Sequence, residues 1–88
     1  FGVIGNWVSF SGGDGIEISD SSNFGINNNL IVFSNGDGVD IDDSSDFEVA
    51  DNQIHGSGSN GVEISNSNSF GVNDNFITDS QFDGISVS

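Results

Sequence analysis

The stretch from Phe24 to Asp46, FGINNNLIVFSNGDGVDIDDSSD, repeats the pattern of the 23 residues before it, FGVIGNWVSFSGGDGIEISDSSN (Phe1 to Asn23), with no gap between them. The same frame continues as FEVADNQIHGSGSNGVEISNSNS over 47–69 and as FGVNDNFITDSQFDGISVS over 70–88. The first position is always Phe (Phe1, Phe24, Phe47, Phe70) and the sixth always Asn (Asn6, Asn29, Asn52, Asn75). The eleventh is always Ser and the fifteenth always Gly, while the third, eighth, sixteenth and eighteenth are aliphatic in all four units. So many columns held in phase mark a repeat architecture in which each unit is one layer of a stack.

Within a unit the apolar period is two. Phe1 and Val3 flank Gly2, Val8 and Phe10 flank Ser9, and Ile16 and Ile18 flank Glu17. Each triplet reads as a short half-buried strand with its apolar members inward. Gly5-Asn6, Ser11-Gly12-Gly13-Asp14 and Asp20-Ser21-Ser22-Asn23 supply the turns between them. Three strands and three turns per unit, repeated in register, predict an all-β parallel coil whose layers lie about 4.8 Å apart. One coil has no partner for its apolar face, but a stack buries it. The Asn column is expected to form an inward amide ladder at the tightest turn, each amide bonded to the coils above and below.

Composition points the other way. The chain has 14 acidic residues, no Lys or Arg and one His, giving a formal charge of −14. Gly, Ser, Asn and Asp occupy 52 of 88 positions, and only 33% are hydrophobic. Such a chain is ordinarily disordered, and only the order of its residues overturns that expectation. The absence of cations excludes a nucleic-acid partner, since nothing neutralises phosphate. No apolar run approaches the roughly 20 residues of a membrane-spanning helix, and no Cys is present for disulfides or thiolate metal sites. The length allows one domain, read as four coils over 1–23, 24–46, 47–69 and 70–88.

Gly15-Ile16-Glu17-Ile18, Phe1-Gly2-Val3, the Asn6 column and Trp7-Val8-Ser9-Phe10 together resemble the right-handed parallel β-helices of the pectate-lyase-like superfamily. The resemblance covers the whole chain and implies a three-sheet parallel β-helix with an Asn ladder at its shortest turn. It says little about activity, because one scaffold hosts many functions. Asn35-Gly36-Asp37-Gly38-Val39-Asp40 is similar to a stretch of the polygalacturonases, where Asp37 would match a catalytic carboxylate. That family's paired aspartates on the next coil are replaced by Ser59-Asn60-Gly61, and its Gly-His-Gly and Arg-Ile-Lys segments have no counterpart. The related lyases abstract a proton with Arg or Lys, which this chain lacks. A non-enzymatic role is therefore expected.

If positions 16 and 18 of each unit point inward, positions 17 and 19 point out. Glu17, Asp40, Asp42 and Glu63, with Asp20 and Asp43 nearby, then form the densest negative patch. Carboxylates about 5 Å apart repel by about 0.9 kcal/mol even at water's dielectric. Hard oxygen ligands in this number suit Ca²⁺; the alternative is a solvated acidic face. His55 is expected to face solvent away from this patch. On the sheet built from Trp7-Val8-Ser9 and its equivalents, Trp7, Leu30, Val32 and Phe76 stand at outward positions as an apolar strip. Such a strip suits a lateral contact or a platform for sugar rings, unless the aromatics fold back over a turn.

Neither end carries a helix, a charged plug or a Pro to cap the stack. The chain is expected to be an excerpt of a longer solenoid or to stack head to tail with other copies. These features together predict an acidic structural solenoid of an extracellular or cell-surface fibre, filament or spike shaft. The alternative is a fragment of a carbohydrate-binding or polysaccharide-processing β-helix. An ice-binding face is not expected, because no outward Thr ranks occur.

Overall fold

The computed structural model describes all 88 residues, and every regular element in it is a strand. Four strands form the first sheet: β1 (Gly2–Ile4), β4 (Ser22–Asn27), β7 (Ser45–Ala50) and β10 (Asn68–Asn73). The second holds β2 (Trp7–Ser9), β5 (Leu30–Val32), β8 (Gln53–His55) and β11 (Phe76–Thr78). The third holds β3 (Ile16–Ser19), β6 (Val39–Asp42), β9 (Val62–Ser65) and β12 (Ile85–Val87). Each sheet takes one strand from each coil. All neighbours run parallel, with Val3 opposite Ile26, Trp7 opposite Leu30 and Ile16 opposite Val39. Every pairing therefore joins residues 23 apart, as the repeat predicts.

The interior is filled by columns rather than by a centre. Ile26 and Val49, Ile31 and Ile54, Val39 and Val62, and Ile41 and Ile64 are the fully buried side chains of the two middle coils. Phe1, Phe24, Phe47 and Phe70 stack in succession, with ring centroids 5.1, 4.8 and 5.0 Å apart and planes within 12° of parallel. The glycine at position 15 of each unit sits where backbone passes closest to the core. A Cβ on Gly38 would collide with the Ile54 side chain and lie 2.6 Å from the Gly61 carbonyl oxygen. Beside this glycine column run the Ser34, Ser57 and Ser80 hydroxyls, buried and without a hydrogen-bond partner.

Two local expectations are corrected. The first-sheet strands begin at Ser22, Ser45 and Asn68, residues expected in a turn. The chain bends inside these strands instead, at Asn23, Asp46 and Ser69, whose φ lies between 53° and 58°. Phe10 and Phe33, expected to point inward, sit at φ 55° and 56° just after β2 and β5. A left-handed residue breaks the alternation of the pleat, and both rings swing out to stack on each other at 5.3 Å.

Candidate functional site

The third sheet turns its outward face, with the adjoining turn, into a cluster of carboxylates. In-register pairing places Glu17, Asp40 and Glu63 in one column. The turn brings Asp14 and Asp37 beside it, so that oxygens of Asp14, Glu17 and Asp40 lie within 4.8 Å of one another. Oxygens of Asp37, Asp40 and Glu63 do the same. Asp40 belongs to both groups and titrates accordingly. Burial, then the charges of Asp14, Asp37, Glu17 and Asp42, raise its pKa from 3.8 to about 6. Glu63 is pushed up by burial and by its contact with Asp37.

The remaining acidic residues of the expected patch lie outside both groups, although the charge of Asp42 still reaches Asp40. Asp42 accepts hydrogen bonds from Ser65 Oγ at 2.7 Å and Asn66 Nδ2 at 3.2 Å. Those donors hold its pKa below the usual value. Asp20 and Asp43 are exposed turn residues at positive φ, outside both clusters. In the sequence Asp37 stands out only for its similarity to a catalytic carboxylate, and nothing there shows what it does beside this patch. Asp37 is only 7% exposed. Asp14 Oδ1 accepts the Asp37 N–H at 2.7 Å, Asp37 Oδ1 accepts the Asn60 N–H at 2.7 Å, and Asn60 Oδ1 accepts the Asp83 N–H at 3.0 Å. Position 14 is thus a second side-chain ladder; the signal for it was the interchange of Asp and Asn in one column, since both offer an Oδ1 at the same reach.

The Asn ladder runs with the opposite polarity. Asn29 Oδ1 accepts the N–H of Asn6 and its Nδ2, and Asn52 does the same for Asn29 and Asn75 for Asn52, at 2.9–3.0 Å. The Nδ2 groups of Asn29, Asn52 and Asn75 also reach a backbone carbonyl one coil back, as Asn52 does to Ile26 at 2.9 Å. A third ladder uses hydroxyls: Ser44 Oγ accepts the Ser21 N–H, and Ser67 Oγ accepts the Ser44 N–H.

The second sheet carries the apolar strip. Trp7, 76% exposed, lies next to Leu30, and Gln53 separates that pair from exposed Phe76. The strip is therefore interrupted, and Val32 stands in the neighbouring column between Ser9 and His55. Trp7 and Leu30 line a shallow cavity of about 320 Å³ with Asn28, Asp51 and Gln53. His55, half-buried, shares a 2.6 Å hydrogen bond with Thr78 Oγ1 and meets the Phe33 ring edge-on.

A family profile described as right handed beta helix region matches residues 1–88. The chain belongs to this right-handed β-helix family. A search of curated proteins and one of solved structures found no significant match. Membership in the β-helix family accounts for the three sheets and the 23-residue layer; no helix of the chain is long and apolar enough to cross a membrane.

Proposed function

We propose that this β-helix is a non-enzymatic structural element, a segment of an extracellular or cell-surface fibre, filament or shaft, continuing end to end with further coils. The observation that carries this reading is the position of Asp37, the residue that would match a catalytic carboxylate. Its Oδ1 is engaged by the Asn60 N–H of the next coil, and the ladder uses Asp and Asn alike. A column that serves equally with an amide is built for hydrogen bonding along the axis, not for proton transfer. The chain also offers no Lys or Arg to trypsin-like proteases, and its charge suits saline surroundings. Incubation with neutral and acidic polysaccharides is expected to release no new reducing ends and no unsaturated products. Turnover that Asp37→Asn or Asp40→Asn removes would overturn the reading.

Two further features support additional roles. The Asp14–Glu17–Asp40 and Asp37–Asp40–Glu63 groups offer the hard oxygen ligands that Ca²⁺ prefers, so a divalent cation is proposed to offset the repulsion on this face. The Trp7 cavity, an aromatic ring face beside amides, favours carbohydrate binding as the alternative reading. A blue shift of Trp7 fluorescence on adding neutral oligosaccharides, absent on raising protein concentration, would favour that alternative.

A further inference from the structure

The side of the stack where the first sheet meets the second carries a groove that the ladders do not fill. Position 5 of each unit turns this corner in the left-handed region, with φ 68° at Gly5, 56° at Asn28, 57° at Asp51 and 54° at Asp74. Position 7 opens the second sheet two residues later, in the column Trp7, Leu30, Gln53 and Phe76. Between the two columns lies the shallow cavity of about 320 Å³ lined by Trp7, Asn28, Leu30, Asp51 and Gln53. It is lateral. Asn28, Asp51 and Gln53 belong to coils covered above and below, and all three are still exposed. Further coils at either end would extend these columns and leave the groove open.

Its walls change character along the axis. Trp7 and Leu30 make one end apolar, whereas Asp51 lines the other end and Asp74 follows it in the same column. The left-handed corner does not itself require these charges, since Asn suits it as well as Asp and stands there in coil 2. No Lys or Arg in the chain offsets them, and the net charge of −14 draws in cations while repelling anions and a second copy alike. The cavity is also small. At the low end of the roughly 300–1,000 Å³ of ligand clefts, it has room for one long side chain but not for a run of sugar rings.

An occupant with an apolar stem and a cationic head matches this order of walls. We propose that the groove receives an arginine side chain of a partner protein, its methylene stem against Trp7 and Leu30 and its guanidinium at the Asp51 carboxylate. The side-chain carbonyl oxygens of Asn28 and Gln53 are the further acceptors at that end. Arginine lays its stem on apolar surface while its head stays among polar groups. Its plane is attracted to an indole face, and its fork pairs with a carboxylate through two hydrogen bonds. Lysine brings a point charge without that plane. A neutral sugar ring would cover Trp7 and leave Asp51 and Asp74 uncompensated. The proposal concerns the side of the solenoid and stands whether or not the molecule is part of a fibre.

The probe is a capped pentapeptide, one arginine flanked by glycines, titrated into isotopically labelled protein. At about 0.15 M salt the Debye length of about 8 Å screens the carboxylates of other faces. Nuclear magnetic resonance is expected to show the Trp7 indole N–H and the amides of Leu30, Asp51 and Gln53 shifting together, with those of Glu17, Asp40 and Glu63 unmoved. Asp51→Asn should weaken binding about fivefold and Trp7→Ala about threefold, in spectra that otherwise keep the dispersion of the folded chain. Glu17→Gln removes the same charge from the third sheet and should leave the affinity unchanged. Equal weakening by Glu17→Gln and Asp51→Asn overturns the inference, because it means diffuse attraction to an acidic chain. So does equal binding when lysine or the neutral isostere citrulline replaces the arginine, and so does the absence of any shift at millimolar peptide. A neutral glucan hexasaccharide that moves these resonances where the arginine peptide does not would assign the groove to sugar and overturn it as well.

Discussion

A single side-chain amide in this protein makes four hydrogen bonds. Asn52 accepts from Asn29 twice and donates to Ile26 and Asn75, all at 2.9–3.0 Å in a buried column. Asn52→Ala leaves the Asn29 N–H buried and unpaired, at a cost of about 1–3 kcal/mol, and removes the Nδ2 bonds to the Ile26 carbonyl and to Asn75 as well. Chemical denaturation should show a loss of about 3 kcal/mol or more. Ser57 presents the converse case. Its hydroxyl is buried without a partner, so Ser57→Ala removes a desolvated group and is expected to be neutral or stabilising by up to about 1 kcal/mol. Asp37→Asn keeps the ladder acceptor and removes a charge, and should raise the melting temperature at neutral pH. These effects follow from direction of hydrogen bonding, which no column of identical letters reveals.

At the scale of the element, each strand is three to six residues long and owes its place to the strand above and below it. The glycine before the third-sheet strands shows how local that dependence is. Gly38 precedes β6 and faces the Ile54 side chain and the Gly61 carbonyl. Gly84 precedes β12 and has only Ile77 Cγ2, at 4.0 Å from an added Cβ. Gly38→Ala is expected to cost about 2 kcal/mol, as overpacking does, and Gly84→Ala well under 1 kcal/mol, measured side by side by thermal unfolding. The strand pattern itself was legible, because period-two alternation and turn residues coincide in all four units. The ends of the strands were not. Phe10 and Phe33 occupy left-handed positions where Asp79 stands in coil 4 and Gly56 in coil 3, and only that mixed column hinted that the position is a turn.

Across the whole molecule, charge sets the pH dependence. Asp40 and Glu63 have folded pKa values raised above their unfolded ones, to about 6 for Asp40. Their favourable contribution is complete below the unfolded values near 4 and is lost as pH rises through the folded values. Asp42 is lowered by Ser65 and Asn66, so its contribution holds above 3.8 and fades in stronger acid. The melting temperature should therefore be highest near pH 4–5 and fall toward pH 7. Asp40→Asn should flatten the slope in that interval and stabilise the protein at pH 7, by no more than on the order of 1 kcal/mol because solvent screens this partly exposed carboxylate, about 4–8 °C at this size. Millimolar Ca²⁺ at pH 7 should recover part of the same loss if the carboxylate groups take up the ion. An unchanged melting temperature means that the face is only solvated.

The repeat alone determined the stacking, the register and the interior columns of the strands themselves, though not that of Phe10 and Phe33. Like residues recur every 23 positions, and a parallel layer is the arrangement that pairs them without a remainder. Composition by itself would have denied any fold. Tertiary structure decided which way the side chains at and beside the turns point: that Asp37 is buried in a ladder, that Asp20 and Asp43 lie outside the carboxylate groups, and that Phe10 and Phe33 turn outward. The reason is physical. Alternation constrains side chains only where the backbone is extended, whereas at a turn the direction depends on a single φ and on which neighbouring N–H needs an acceptor.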